Sequence, residues 1–326
     1  MGSDGFDLEA TLARMEAKLD GLGQKLTLAE RGTTPARWIT MATAEDEVVR
    51  HYGQGSLEQA IRDGLEAMGL GPEGVRPEDL AAVDEFHMGG HQATLELADA
   101  LGLRAGMALL DLGSGLGGPA RLFAGRHGCT VTGIDLTPEY VRVAEALTRL
   151  VGLAERVSFR TGSATDLPFE PASFDAATLL HVGMNIEDKA ALCRAAARVL
   201  KPGGVFAVYD VMRTGAGELL FPLPWAAGPT TSFLAPPAAY REALAAADFT
   251  IESERDRSAL ALEVFGRIRR RIAETGPPPL GLHLVMGPDA SQKIANVVAG
   301  LEQGVVAPIE LICRRGRQAF PTGAAR

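Results

Sequence analysis

The chain has 326 residues, 46% of them hydrophobic and 22% charged, with a formal net charge of −9. This is the composition of a globular protein with a substantial core, and its acidic balance argues against general binding to nucleic acid or an anionic membrane. The three cysteines, Cys129, Cys193 and Cys313, contain no close-spaced pair, which excludes a disulfide framework or a zinc site and points to buried reduced thiols.

The start, Met1 to Asp7, lacks the basic and apolar regions of a secretory signal, and no apolar run reaches membrane length. The expectation is a cytoplasmic protein. Leu8, Leu12, Met15, Leu19, Leu22, Leu26 and Ala29 form an a/d heptad stripe, the pattern of a dimerising coiled coil or of a helix packed on its own domain. Gly21 and Gly23 weaken that helix by roughly 1 kcal/mol each. After a break at Gly32–Pro35, helices are predicted over Ala44–Tyr52, Leu57–Met68 and Ala93–Leu101, the last led in by Phe86-His87-Met88-Gly89-Gly90.

From Met107 onward strands and helices alternate. Strands are predicted at Ala108–Leu112, Thr130–Ile134, Val157–Thr161, Ala176–Leu180 and Val205–Val211, with helices at Pro119–His127, Pro138–Val151 and Asp188–Leu200 between them. Thr137 is placed to cap the second of these helices, and Lys201-Pro202-Gly203-Gly204 reads as a stop and turn. Such alternation implies a parallel sheet covered on both faces. Beyond Val211 comes a Gly-, Pro- and aromatic-rich stretch, Gly215–Pro237. It is followed by helix Pro237–Ala246, strand Thr250–Glu254, a basic helix Leu260–Ile272, a helix near Asp289–Leu301 and a final strand, Ile309–Cys313.

The chemistry is concentrated where the first strand ends. Asp111 precedes a turn in which Gly113, Gly115, Gly117 and Gly118 leave the backbone bare, so that it can approach a nucleotide-like ligand closely. Asp135, at the tip of the second strand, can accept both hydroxyls of a ribose. These features suit NAD and S-adenosylmethionine (SAM) equally. The third strand leads into Thr161-Gly162-Ser163-Ala164-Thr165-Asp166-Leu167-Pro168-Phe169, where Asp166 can accept from an adenine amino group.

Asp-Leu-Gly-Ser-Gly-Leu-Gly, Asp135, Asp166 before Leu-Pro-Phe, and Leu200-Lys201-Pro202-Gly203-Gly204 fall in the order that resembles class I SAM-dependent methyltransferases, over roughly Leu95 to Asp256. The flanking segments Val83–Gly90, Gly117–Arg121, His181–Ile186 and Phe221–Trp225 are similar to the small-molecule branch with sarcosine/dimethylglycine-type N-methyltransferases. The resemblance implies an α/β, Rossmann-like seven-stranded sheet, mostly parallel with the last strand antiparallel, a helical N-terminal cap and a lid insertion after strand five. It divides the chain into a heptad helix (1–31), a cap (32–105), a SAM-binding core (106–212) and a lid with the C-terminal strands (213–326). Asp111, Gly113, Ser114, Gly115 and Gly117 would hold the methionine end of SAM, Asp135 and Leu136 the ribose, and Ala164, Thr165 and Asp166 the adenine.

His181, at the tip of strand four, either contacts cofactor or acceptor, with a base among its roles, or hydrogen-bonds a neighbouring loop. Asn185 is a catalytic or substrate contact or a helix cap. Tyr52, His87 and Met88 are candidate acceptor-site residues. Trp225 is a candidate lid aromatic for a methylammonium or ordinary packing. Arg213 is a candidate partner for an acceptor carboxylate. The favoured activity is methyl transfer from SAM to a small-molecule amine, with no metal, nucleic acid or membrane partner; a homodimer through the heptads is compatible with it. The alternatives are an O- or C-methyltransferase of specialised metabolism and, more remotely, an inactive SAM-binding protein or an NAD(P)-linked oxidoreductase. Against the last, no Tyr-x-x-x-Lys pair occupies a plausible site.

Overall fold

The computed structural model describes residues 43–52, 56–71 and 73–317; the heptad stripe and the boundary after residue 31 lie outside them. Four helices come first: α1 (Ala44–Tyr52), α2 (Leu57–Ala67), α3 (Pro77–Asp84) and α4 (Gly90–Leu101). In α2, Leu57, Ile61 and Leu65 recur one turn apart and are buried as one stripe. Helix α3 was not expected from its weak pattern. It starts with Pro77 at its first position and with the Asp79 carboxylate accepting from the Arg76 amide at 2.9 Å.

The remaining elements are β1 (Ala108–Leu112), α5 (Gly118–His127), β2 (Thr130–Asp135), α6 (Pro138–Leu150), β3 (Val157–Thr161), β4 (Phe174–Leu180), α7 (Lys189–Val199), β5 (Leu200–Arg213), α8 (Pro237–Ala246), β6 (Phe249–Asp256), α9 (Ser258–Thr275), the short α10 (His283–Met286), α11 (Ala290–Glu302) and β7 (Val306–Arg315). The seven strands form one sheet in the order β3-β2-β1-β4-β5-β7-β6. Strands β1 to β5 pair in parallel, and β7 runs antiparallel between β5 and β6. The inner strands β1, β4 and β5 are covered on both faces, hence their largely apolar runs, whereas β3 at the sheet edge alternates buried and exposed residues. All three cysteines are buried and unpaired with one another.

The topology places the site. Successive connections carry the chain from β1 to β2 to β3 in one direction, and β4 then returns to the other side of β1. A crevice therefore opens beyond the carboxyl ends of β1 and β4, where such sheets hold their ligands.

Two expectations are corrected. Lys201–Gly204 is not a turn before the fifth strand but part of β5. The register jumps from Phe174↔Leu200 to Ala176↔Val205, so the extra residues are absorbed as an irregularity within the pairing. Asp175 fixes that spot, accepting from Lys201 Nζ at 2.7 Å and from the Ala108 amide at 2.9 Å. Thr137 is the N-cap residue of α6 with Pro138 opening the helix, as expected, but its side chain makes no capping bond; its amide instead donates to Asp135 Oδ1.

Candidate functional site

A cavity of about 300 Å³ occupies the crevice. Its floor is the turn after β1. The amides of Gly113 and Ser114 both donate to the Ile134 carbonyl, at 2.7 and 3.0 Å, which bends the turn back onto β2. Gly113 has φ +70°, and a Cβ there would lie 2.3 Å from Val182 Cγ2. A Cβ on Gly117 would meet Phe159 Cζ at 2.4 Å. Bare backbone is thus a steric requirement of the turn. Asp135 staples it: Oδ2 accepts from the Gly115 amide at 2.8 Å and Oδ1 from the Thr137 amide at 2.9 Å.

The carboxylates here are desolvated. Asp111 is buried, with Oδ1 accepting from the Thr178 hydroxyl at 2.7 Å. Burial pushes its carboxyl up to about 7 against the opposing Thr178 bond, with the charge of Asp135 raising it further. Burial also raises Asp135, although its backbone donors resist. A cationic group bound beside Asp111 would restore the ionised form. Ser114 Oγ is buried with no hydrogen-bond partner within the protein, another sign of a site built for a polar ligand.

Of the expected cofactor residues, the lining brings together Asp111, Gly113, Ser114, Gly115, Asp135, Leu136, Ala164, Thr165 and His181. Gly117 lies behind the lining, where its carbonyl accepts from the Arg121 amide as α5 starts. Asp166 is displaced from the cleft. Its side chain is exposed and borders a separate groove with Arg194 and Arg198, whereas Gly162, Ser163, Ala164 and Thr165 of the same loop line the cleft.

His181 and Asn185 line the cavity, but their polar atoms are committed. His181 Nε2 accepts from the Met88 amide at 3.2 Å, which leaves Nδ1 to donate to the Tyr209 carbonyl at 3.2 Å. Burial, together with neighbouring His87, pushes this imidazole down to about 3. With its one lone pair taken and its cation disfavoured, His181 is not arranged as a base. Asn185 Nδ2 donates to the carbonyls of Trp225 and Thr231, at 2.8 and 3.2 Å, and its Oδ1 accepts from the Tyr52 hydroxyl at 3.2 Å. It ties α1 and the segment after β5 to the end of β4, a positioning role.

Tyr52 and His87 line the cavity; Met88 and Trp225 do not. Trp225 is 2% exposed and packs with Met88, Met184, Val297 and Leu301, its indole N–H donating to Ser232 Oγ at 3.0 Å. It is therefore a packing residue and not a lid aromatic. Arg213 also lies away from the cavity and donates to the Gly217 carbonyl. No lysine or arginine lines the cavity among the described residues, whereas Glu45, Glu187 and Asp188 do, all exposed.

Sequence reasoning missed the residues beneath His87. Glu85 and Thr94 bond its ring and His91 bonds the other oxygen of Glu85, which is almost wholly buried, with His91 and Thr94 one turn apart on α4. That spacing beside Glu85 and His87 was the available signal. It also missed the buried pair Asp84–Arg121, the aromatic walls Phe86, Tyr140 and Phe233, and the hydrogen bond from Ser163 to Glu45 that ties α1 to the loop after β3.

The fold and cleft have recognisable counterparts. Residues 110–208 match the family model of a methyltransferase domain. The erythromycin 3''-O-methyltransferase of Saccharopolyspora erythraea is 38% identical over 118 residues, which are 36% of this chain and 39% of that protein's length. A candidate sarcosine dimethylglycine methyltransferase from Galdieria sulphuraria superposes with a TM-score of 0.56 at 20% identity, over 70% of this chain and 86% of its own. The [4+2]-cyclase SpnF superposes with a TM-score of 0.60 at 24% identity, over 85% of this chain and 98% of its own.

Proposed function

We propose that this chain, whose fold is that of class I SAM-dependent methyltransferases and which carries a methyltransferase domain, transfers the methyl group of SAM to a small-molecule acceptor. The carrying observation is the order of groups along the cleft: buried Asp111, the bare Gly113–Gly115 backbone, Asp135, then the Gly162–Thr165 loop. Asp111 would meet the ammonium of the methionine end, and Asp135 would take the ribose hydroxyls on its remaining lone pairs. The loop would frame the adenine. A cyclase on the same fold shows that architecture alone does not fix the reaction, so the reading rests on the site.

When bound, SAM supplies an electrophilic methyl on a sulfonium whose charge is consumed by in-line displacement. The protein's part is to hold the two partners in line and exclude water, worth several kcal/mol. Helix α1 does this through Val48 and Tyr52 in the cavity wall, with Tyr52 fixed by Asn185.

The acceptor is taken to be an amine. The exposed carboxylates of the lining attract a cation, and Tyr52, Phe86 and Phe233 offer it aromatic surface. A carboxylate or phosphate would find no countercharge among the described lining residues, which disfavours an amino acid such as sarcosine itself. The test is label transfer from SAM to a panel of small amines, phenols and alcohols, beside a thermal-shift comparison of SAM with NAD(P). Stabilisation by SAM and label on amines are expected. Stabilisation by NAD(P) alone would overturn the methyltransferase reading, and label on phenols only would move the acceptor from nitrogen to oxygen.

A further inference from the structure

A chain of hydrogen bonds runs along the loop after β3 and ends on helix α1. A carboxylate can only accept, so the Ser163 hydroxyl gives its one hydrogen to Glu45 Oε1, at 2.7 Å. The Thr165 hydroxyl, 2.8 Å from Ser163 Oγ, must then donate to it, and the Thr165 amide donates to the same oxygen at 3.3 Å. Both hydroxyl hydrogens that the loop brings to the cavity are thereby engaged. The chain terminates in Glu45 Oε2, which takes no hydrogen bond among the described residues. Glu45, Ser163 and Thr165 all line the cavity, and Glu45 is exposed, so that oxygen is open to a ligand.

We infer that Glu45 recognises the cofactor's purine, accepting from the 6-amino group of adenine and selecting it over a 6-oxo purine. The assignment rests on the methyltransferase reading above, in which this loop frames the adenine.

The argument is one of polarity. Adenine carries an N–H donor at its 6-position, and hypoxanthine carries a carbonyl oxygen there. An accepting wall pairs with the first and sets a carboxylate against a lone pair in the second, a mismatch that discriminates more sharply than shape. Ser163 acts through Glu45 as a positioning residue. An exposed glutamate loses rotamer freedom when it is fixed, and the Ser163 bond fixes it before the ligand arrives. No lysine or arginine lines the cavity among the described residues, so no cation there competes for Oε2. The role that the sequence suggested for Asp166 thus falls to an acid 121 residues earlier; Asp166 itself lies on the groove with Arg194 and Arg198.

Calorimetry with two unreactive ligands, S-adenosylhomocysteine and S-inosylhomocysteine, tests this without a methyl acceptor. The two differ only in the purine. Wild type should prefer the adenosyl ligand. E45A should weaken it about 10-fold, the scale of one hydrogen bond to a charged group, and leave the affinity for the inosyl ligand unchanged or improved. S163A should move the ratio the same way by a smaller factor, and D166A should leave both affinities as they are. The ratio is the readout that a merely structural role would not move, because a displaced α1 weakens both ligands alike. Equal weakening of the two in E45A, an unchanged ratio, or loss of the preference in D166A but not in E45A would overturn the inference. So would a wild type that binds both ligands equally well. A wild type that binds neither would instead remove the reading on which the inference rests.

Discussion

Arg121 is the cation that holds the cleft's foundation, and Arg121→Met is the substitution that would expose its role. Its guanidinium is fully buried. Nη2 donates to Asp84 Oδ2 at 2.5 Å and to the Leu116 carbonyl at 2.8 Å, and Nη1 to Thr148 Oγ1 at 3.0 Å. One side chain on α5 therefore binds the end of α3, the glycine turn and α6. Methionine keeps most of the stem's volume but strands the Asp84 carboxylate, itself 2% exposed, without a countercharge. Breaking a buried pair in this way costs about 3–5 kcal/mol, which for a protein of this size is a loss of roughly 4–7 °C in Tm. Urea denaturation and calorimetry would measure it. The double variant R121M/D84L removes both charges, and because an apolar replacement of a buried pair is close to neutral, it should recover most of the loss. A single-variant cost under about 1 kcal/mol, or a double variant as unstable as the sum of the two singles, would refute the reasoning.

Asp111 links pH to both stability and ligand binding. Its folded value of about 7 lies above the ordinary 3.8, so the folded state holds the proton more tightly. Its contribution to stability is present below about pH 4 and lost as pH rises through about 7, whereas SAM affinity should rise over that window because the bound ammonium needs the ionised form. Calorimetric titrations across that range should show this slope in wild type and a flat response in D111N; equal slopes would place the ammonium elsewhere. Gly113→Ala and Gly115→Ala share a positive φ, worth roughly 1–2 kcal/mol each. Only the first drives a Cβ into Val182, whereas the second meets nothing within 4 Å. G113A should therefore melt lower and bind SAM more weakly than G115A, and equal melting temperatures would contradict the packing at Val182. Trp225→Phe should lose about 1–2 kcal/mol through the indole–Ser232 bond and a small void, with acceptor preference unchanged. A changed preference at full stability would return Trp225 to the acceptor site.

What the sequence disclosed was what chain-local chemistry decides. The turn from Asp111 to Gly117 and the carboxylate at Asp135 were legible because adjacent residues and strand ends determine them, and the sheet followed from the alternation of apolar runs. Trp225 stayed open between lid and packing because the facing of an aromatic in an irregular segment depends on distant partners, here Met88 and Val297, which no local pattern reveals. Asp166 was not placed for a related reason: the loop after β3 sets Gly162–Thr165 in the cleft wall and Asp166 on a separate groove beside Arg194. His181 was located, but the choice between its two readings was not, since whether an imidazole is free or bonded to a neighbouring loop depends on an amide far away in the chain, that of Met88. Lys201–Gly204 carried turn residues, yet pairing with β4 enlisted them into a strand, tertiary context overriding propensity.

The position of β7 has a consequence for how the molecule is made. Among the described residues strand β6 has β7 as its only neighbour, yet it is translated before α9, α10 and α11, with β7 last of the seven. A nascent chain emerging from the ribosome therefore displays β6 unpaired and one edge of β5 bare until Val306–Arg315 has cleared the exit tunnel. Both edges are templates for the wrong partner during that interval. Once β7 arrives, its register from Val205↔Arg314 to Arg213↔Val306 closes β5, and its other side captures β6. The strand synthesised last is the one that seals the sheet, so a premature stop before Val306 is expected to leave two adhesive edges for chaperones and proteases to deal with.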